Sequence, residues 1–150
     1  MTPRLRRATH NDLSRLLMLV RRYHDGEGID LTDEARLAAV TPLLGDSPAG
    51  RLWLIEAEAA VVGYVALCFG YSIEFGGRDA FVDEFYILDA YRGRGFGRST
   101  LAAVRREAVH LGVRALHLEV SRTNGRAQRL YTSLGYTVRD YHHLMTLRLV

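Results

Sequence analysis

The stretch "AYRGRGFGRST", residues 90–100, interleaves Gly93, Gly95 and Gly97 with Arg92, Arg94 and Arg98. Glycine reaches positive φ without a Cβ penalty and lets another group approach bare backbone. The residues that follow carry a helical period: Leu101, Val104, Ala108 and Leu111 mark one face, and Gly112 stands where a helix C-cap belongs. The first turn of a helix presents N–H groups without intrahelical partners at the positive end of the dipole. A glycine loop entering such a turn is a device for holding an anion. An apolar strand over 80–88 precedes the loop, and an alternating strand over 115–120 follows the helix. A strand, helix, strand unit of this length makes its two strands parallel.

The rest of the chain builds outward from that unit. Thr9 and Asp12 have the spacing of a capping box, and Leu13, Leu16, Leu17 and Val20 recur at helical spacing, which predicts a first helix to about residue 23. A second follows Thr32 and ends before Pro42. Residues 51–57 and 61–71 flank a short turn and read as a hairpin, and Gly76-Gly77 turns the chain into the strand over 80–88. Beyond residue 120, a short helix over 124–134 stops at Gly135, and 142–149 closes the chain as a strand. The order is α-α-β-β-β-α-β-α-β, an α/β (α+β) chain with a mixed, mostly antiparallel sheet flanked by helices.

With 150 residues, 48% hydrophobic and 25% charged, the chain suits one globular domain over 1–150. Its longest mostly apolar run, residues 59–69, is too short to span a bilayer, and the basic N-terminus lacks the apolar core of a signal peptide, so a cytoplasmic protein with no membrane partner is expected. The single cysteine, Cys68, excludes an internal disulfide and reads as a buried small hydrophobe. All twenty residues of the lysine-plus-arginine count are arginine, which removes lysine chemistry. The formal charge of +3 is mild and the arginines are dispersed, which speaks against nucleic acid as a partner. His142 and His143 are adjacent with no third ligand at metal spacing, so no metal site is expected.

Spacing separates the anion loops. A P-loop needs a lysine after its glycines, and the dinucleotide fingerprint needs Gly-x-Gly-x-x-Gly; neither fits. What fits is Arg-x-x-Gly-x-Gly, Arg92 through Gly97, between strand and helix. Downstream, "NGRAQRLYTSLGY" carries Asn124, Ala127, Leu130, Tyr131, Gly135 and Tyr136. The two motifs together resemble those of the GNAT superfamily of N-acetyltransferases, and the element order along most of the chain is also that family's. The resemblance implies the acyl-CoA N-acyltransferase fold, with a central parallel strand pair that splays apart, and acetyl-CoA as cosubstrate.

The resemblance assigns roles to residues of this chain. Backbone N–H groups over Arg92, Gly93, Arg94, Gly95, Phe96, Gly97 and Arg98 would hold the pyrophosphate, with Ser99 as an extra donor. Arg94 and Arg98 either pair with phosphates or lie solvated on the surface. The pantetheine arm would pair along Phe85, Tyr86 and Ile87, where the Ile87 N–H would polarise the thioester carbonyl. A primary amine must lose a proton before it attacks, and Glu84 or Asp83 would take it, with Glu84 favoured. Consecutive strand residues face opposite ways unless a bulge intervenes, so at most one of the two faces the acceptor directly. Tyr131 would protonate the leaving thiolate. Asn124 would cap its helix and, with Ala127, contact the coenzyme.

For the acceptor, "DGEGIDLTDE", residues 25–34, sets five acids in the loop after the first helix, and Asp25 and Glu27 there, with Asp83 and Glu84, would attract a cationic amine. The segment 63–97 is similar to that of spermidine/spermine acetyltransferases, which favours a polyamine, diamine, lysine-like or aminoglycoside acceptor. Two alternatives stand beside this reading: a catalytically silent acyl-CoA sensor, and an acetyltransferase acting on a protein or peptide amine. Many members of the resembled family are homodimers, which the chain is expected to share.

Overall fold

The structure, a computed structural model, describes residues 2–150. It contains β1 (Arg4–Arg7), α1 (Leu13–Glu27), α2 (Asp33–Val40), β2 (Gly50–Ala57), β3 (Ala60–Ser72), β4 (Gly77–Ile87), α3 (Phe96–His110), β5 (Leu116–His117) and α4 (Gly125–Ser133). The chain divides into two compact units, one ending at Leu118 and the other Glu119–Val150.

In the first unit the strands form one sheet in the order β1-β2-β3-β4-β5. The first four pair antiparallel, and β4 with β5 is parallel, as the crossover requires. One face of the sheet packs Leu52, Leu54, Tyr64 and Ala66 against Leu16, Leu19 and Val20 of α1. The other packs Trp53, Val65, Leu67 and Val82 against Val104 and Ala108 of α3. Burying side chains of this size stabilises the fold by about 2 kcal/mol each, before the entropy of ordering them is counted.

Helix α1 runs one turn past its expected end because Gly28, at φ 70°, supplies the left-handed C-cap there. Asp25 and Glu27 therefore lie on the last turn of α1, and Asp33 and Glu34 open α2, so the acidic stretch is mostly helix ends. Thr32 caps α2 by accepting from the Ala35 N–H at 3.1 Å. Strand β1, "RLRR", has no apolar alternation to announce it. It forms by pairing with β2, and Arg6 ties it down by an ion pair with Glu56 and a two-pronged contact with Asp12 at 3.0 and 2.9 Å. That contact holds the Asp12 carboxyl below its ordinary value.

Two late strands depart from expectation. Strand β5 covers Leu116–His117 rather than 115–120, because its ladder with β4 consists of Ala80 opposite Leu116 and Phe81 opposite His117 and stops there. In the second unit, residues 142–149 form no strand. Leu144, Met145, Leu147 and Leu149 are all more than 70% exposed. Apolar alternation marks a chain suited to pairing, but a strand exists only where a neighbour accepts its hydrogen bonds. The parallel pair thus ends the five-stranded sheet.

Candidate functional site

The site begins with a counting irregularity in β4. Ala66 pairs with Glu84 but Leu67 pairs with Val82, so Asp83 is an extra residue with no opposite number. The bulge changes which face the chain presents. Val82 packs on the α3 face, yet Glu84 reaches the Tyr64 phenol on the α1 face, only two positions on. Asp83 and Glu84 both act electrostatically on two groups of that region. The buried Tyr64 phenol is pushed far above the usual phenol range, first by burial and then by Glu84, with a smaller push from Asp83. The Cys68 thiol is pushed up to about 11 by burial, then by Asp83 and Glu84. The bulge on which the facing of the two carboxylates depended is present, and Asp83 is exposed while Glu84 is half-buried.

Glu84 is held from two sides. Tyr64 Oη donates to Oε1 at 2.8 Å, and His24 Nε2 lies 2.7 Å from Oε2. His24, 4% exposed, is on the last turn of α1, and its Nδ1 receives the Arg36 Nε–H at 3.2 Å. Arg36, 6% exposed, is fixed in turn by Asp33 at 2.9 Å, and Arg21 reaches the same Asp33 at 3.5 Å. One of the five acids of residues 25–34 is therefore engaged in holding arginine, whereas Asp25 and Glu27 are exposed beside His24. Tyr23, Tyr64 and Tyr86 pack around the same place, their ring centroids 6.1–6.4 Å apart.

Beyond the bulge, β4 presents an edge. Leu88 donates its N–H to Val62 O at 2.8 Å, so alternation turns the peptide groups of Ile87 away from β3. The same alternation turns Phe85 outward and Tyr86 inward to β3, where Tyr86 pairs with Tyr64. Among the described residues no ladder continues along the outer side of β4 past Phe81. Arg92 folds back and donates Nε–H to the Ile87 carbonyl at 2.8 Å, which leaves the Ile87 N–H as the donor on that edge. Gly63 lets the sheet close here: a Cβ at this position would stand 2.1 Å from Tyr86 O.

The glycine loop follows directly. Gly93 and Gly95 take φ of 72° and 80°, the left-handed region, and Gly95 is the N-cap of α3. The helix starts at Phe96. Its first internal hydrogen bond runs from Ser99 N to Gly95 O at 3.2 Å, so the Phe96 and Gly97 N–H groups have no partner within the helix and suit an anion. Of the two arginines left open above, Arg94 forms an ion pair with Glu58 and lies over the Tyr91 and Phe96 rings. Arg98 is exposed on the first turn of α3.

In the second unit, Asn124 caps α4, its side chain accepting from the Ala127 N–H at 3.1 Å. Tyr131 is half-buried on that helix, its ring 6.0 Å from that of Tyr136, and burial raises its phenol. A phenol raised this way stays protonated at neutral pH and can donate.

Sequence reading alone does not single out His24, Arg36 or Tyr64. A signal existed for His24: it continues the Leu16, Val20 row at i+4, a polar residue in a buried stripe, which needs a partner. The partners come from α2, β3 and β4, and no local pattern connects them. Among the described residues, no group of three or more His, Cys, Asp or Glu stands together that could hold a metal, and no helix is long and apolar enough to cross a membrane.

Comparison with known proteins gives one consistent outcome. The model of the Acetyltransferase (GNAT) family matches residues 14–136. A thialysine N-epsilon-acetyltransferase of Bos taurus is 30% identical over 142 residues, 87% of this chain and 82% of its own length. The uncharacterized N-acetyltransferase YycN of Bacillus subtilis is 31% identical over 96 residues, and the match spans 63% of this chain and 60% of YycN. Among solved structures, an integron cassette protein from the mobile metagenome of Cole Harbour Salt Marsh superposes with a TM-score of 0.85 at 32% identity, covering 97% of this chain and 90% of its own. An aminoglycoside N-acetyltransferase solved in complex with CoA superposes with a TM-score of 0.78 at 19% identity, over 98% and 94%.

Proposed function

Because the chain belongs to the GNAT acetyltransferase family, we propose that it moves an acetyl group from acetyl-CoA to a primary amine of a small, cationic acceptor, by direct attack in a ternary complex. The observation that carries the reading is the bulge at Asp83. It sets two carboxylates on one region of the sheet, next to an edge of β4 where the Ile87 N–H points outward. The Phe96 and Gly97 N–H groups at the start of α3, with the left-handed turn at Gly93 and Gly95, suit the pyrophosphate.

In this mechanism Glu84 accepts a proton from the bound ammonium, and the nitrogen lone pair attacks the thioester carbonyl. Negative charge builds on the carbonyl oxygen, and the Ile87 N–H donates to it. The new C–N bond remains and the C–S bond breaks. The Tyr131 phenol supplies a proton to the departing thiolate, the nitrogen sheds its second proton to solvent as it becomes the amide, and solvent returns a proton to the tyrosinate. Asp83, with Asp25 and Glu27 on the last turn of α1, contributes negative potential that draws the cationic acceptor. Relatives named for the ε-nitrogen of thialysine support an amine acceptor of this kind. In this reading residues 1–150 act as one catalytic domain, cytoplasmic and homodimeric.

The experiment is a turnover panel. Purified chain with acetyl-CoA is offered spermidine, cadaverine, lysine, thialysine, neamine, a protein N-terminal peptide and an arylamine, and the products are weighed by mass spectrometry. Acetylation confined to the first five supports the acceptor class; acetylation of the peptide or arylamine alone overturns it.

A further inference from the structure

We infer that Arg36 locks His24 in a single tautomer so that His24 serves Glu84 as a fixed hydrogen-bond donor, a positioning residue and not a proton relay. The inference rests on Glu84 being the carboxylate that takes the amine's proton.

A histidine against a carboxylate at an acyl-transfer site is most readily taken for a base, with the carboxylate orienting it. The neighbours of His24 decide otherwise. A guanidinium has five N–H donors and no acceptor. With Arg36 Nε donating at 3.2 Å, His24 Nδ1 must present its lone pair. The ring hydrogen then sits on Nε2, which faces Glu84 Oε2 at 2.7 Å, and the carboxylate oxygen accepts it.

The other tautomer would fail at both ends. It would set an Nδ1–H against the Arg36 Nε–H, and a bare Nε2 lone pair against the carboxylate oxygen. At 4% and 6% exposure, neither His24 nor Arg36 has ready access to water that would relieve those clashes. Arg36 cannot swing away freely either, because its Nη1 is held by Asp33 at 2.9 Å.

The consequence falls on Glu84. Each carboxylate oxygen accepts one fixed donor, Tyr64 Oη on Oε1 and His24 Nε2 on Oε2, which sets the plane of the group. A carboxylate has about four acceptor sites, so lone pairs remain for the acceptor amine or a water. A proton taken up there cannot pass into His24, whose Nε2 is already protonated. It must leave from the side on which it arrived.

Two measurements test this. In the free wild-type chain, long-range 1H–15N correlation of the imidazoles reads the tautomer directly: Nε2 of His24 of the protonated, pyrrole type and Nδ1 of the unprotonated, pyridine type. Arg36→Met then loses the single-tautomer signature. The reverse tautomer in the wild type overturns the inference, whatever the enzyme's activity. Kinetics supply the second arm, with the amine that turns over fastest among the panel. His24→Gln keeps an N–H near the Nε2 position and holds kcat within about three-fold, whereas His24→Leu lowers kcat about 10- to 100-fold with the KM for acetyl-CoA unchanged. Equal losses in the two variants, with both folded by circular dichroism, also overturn it. Should the tautomer be as inferred while Glu84→Gln turns over normally, the failure lies with Glu84 as base and the lock stands.

Discussion

Tyr64 and Glu84 sit two residues out of register on neighbouring strands of one sheet, and the phenol of the first donates to Oε1 of the second at 2.8 Å. The contact exists because the bulge at Asp83 turns Glu84 onto the face where Tyr64 is buried. Glu84→Gln keeps the shape but cannot take a proton, and it lowers kcat by about 100-fold or more. Tyr64→Phe removes one hydrogen bond and lowers kcat by less than about ten-fold. Calorimetric affinity for CoA stays at the wild-type value in both. A Glu84→Gln variant that turns over like the wild type would move the base to another group.

The glycine loop is tested through its backbone. Gly95 is left-handed at φ 80°, and a Cβ there meets nothing within 4 Å, so Gly95→Ala acts by conformation and not by collision. Holding alanine in that region costs about 1 to 2 kcal/mol, which is roughly ten-fold in the CoA dissociation constant if the loop relaxes out of its binding geometry. Titration calorimetry reads the change. Unaltered affinity would show that the left-handed turn does not hold the coenzyme.

Gly63 makes the opposite kind of test. The Cβ of Gly63→Ala would stand 2.1 Å from Tyr86 O and 3.1 Å from Ile87 Cα, both backbone atoms, so the strands themselves must part. Denaturant unfolding should show a loss of about 3 kcal/mol. A loss near zero would mean that β3 and β4 are not packed this closely.

Cys68 reports on the carboxylates beside it. Burial, then Asp83 and Glu84, push its thiol up to about 11, so at pH 8 it is protonated in the folded chain and a poor nucleophile. The sign follows: folding favours the protonated thiol, and this contribution to stability is lost as pH rises from the unfolded value of about 8.5 through about 11. Iodoacetamide should label the native chain slowly at pH 8, faster as pH climbs toward 11, and rapidly at pH 8 in denaturant. Labelling of the native chain at the denatured rate would contradict the burial.

Much of this was legible in the chain because it is local. The period of Leu101, Val104 and Ala108, the glycines at 93 and 95 and the Asn124 cap each act within a turn or two of their own residue, and each appears in the structure as expected. What stayed hidden depends on distant neighbours. Strand β1 has three arginines in four residues and exists through its pairing with β2, while residues 142–149 have the alternation and form no ladder. The bulge at Asp83 is a difference of register between two strands, and neither strand's sequence contains it. The grip of His24 and Arg36 on Glu84 spans 60 positions between the first pair of atoms, so residue types alone could name the carboxylate but not its supports.

The central claim, direct transfer from acetyl-CoA to an amine, is tested most directly by weighing the protein during the reaction. The chain is mixed with a slight excess of acetyl-CoA, and thiol release and intact protein mass are followed before and after the amine is added. The account predicts no thiol release and no acetylated protein without amine, then release matched mole for mole by acetylated amine. An acetyl group on the protein before the amine arrives, or no release after it, would contradict the account.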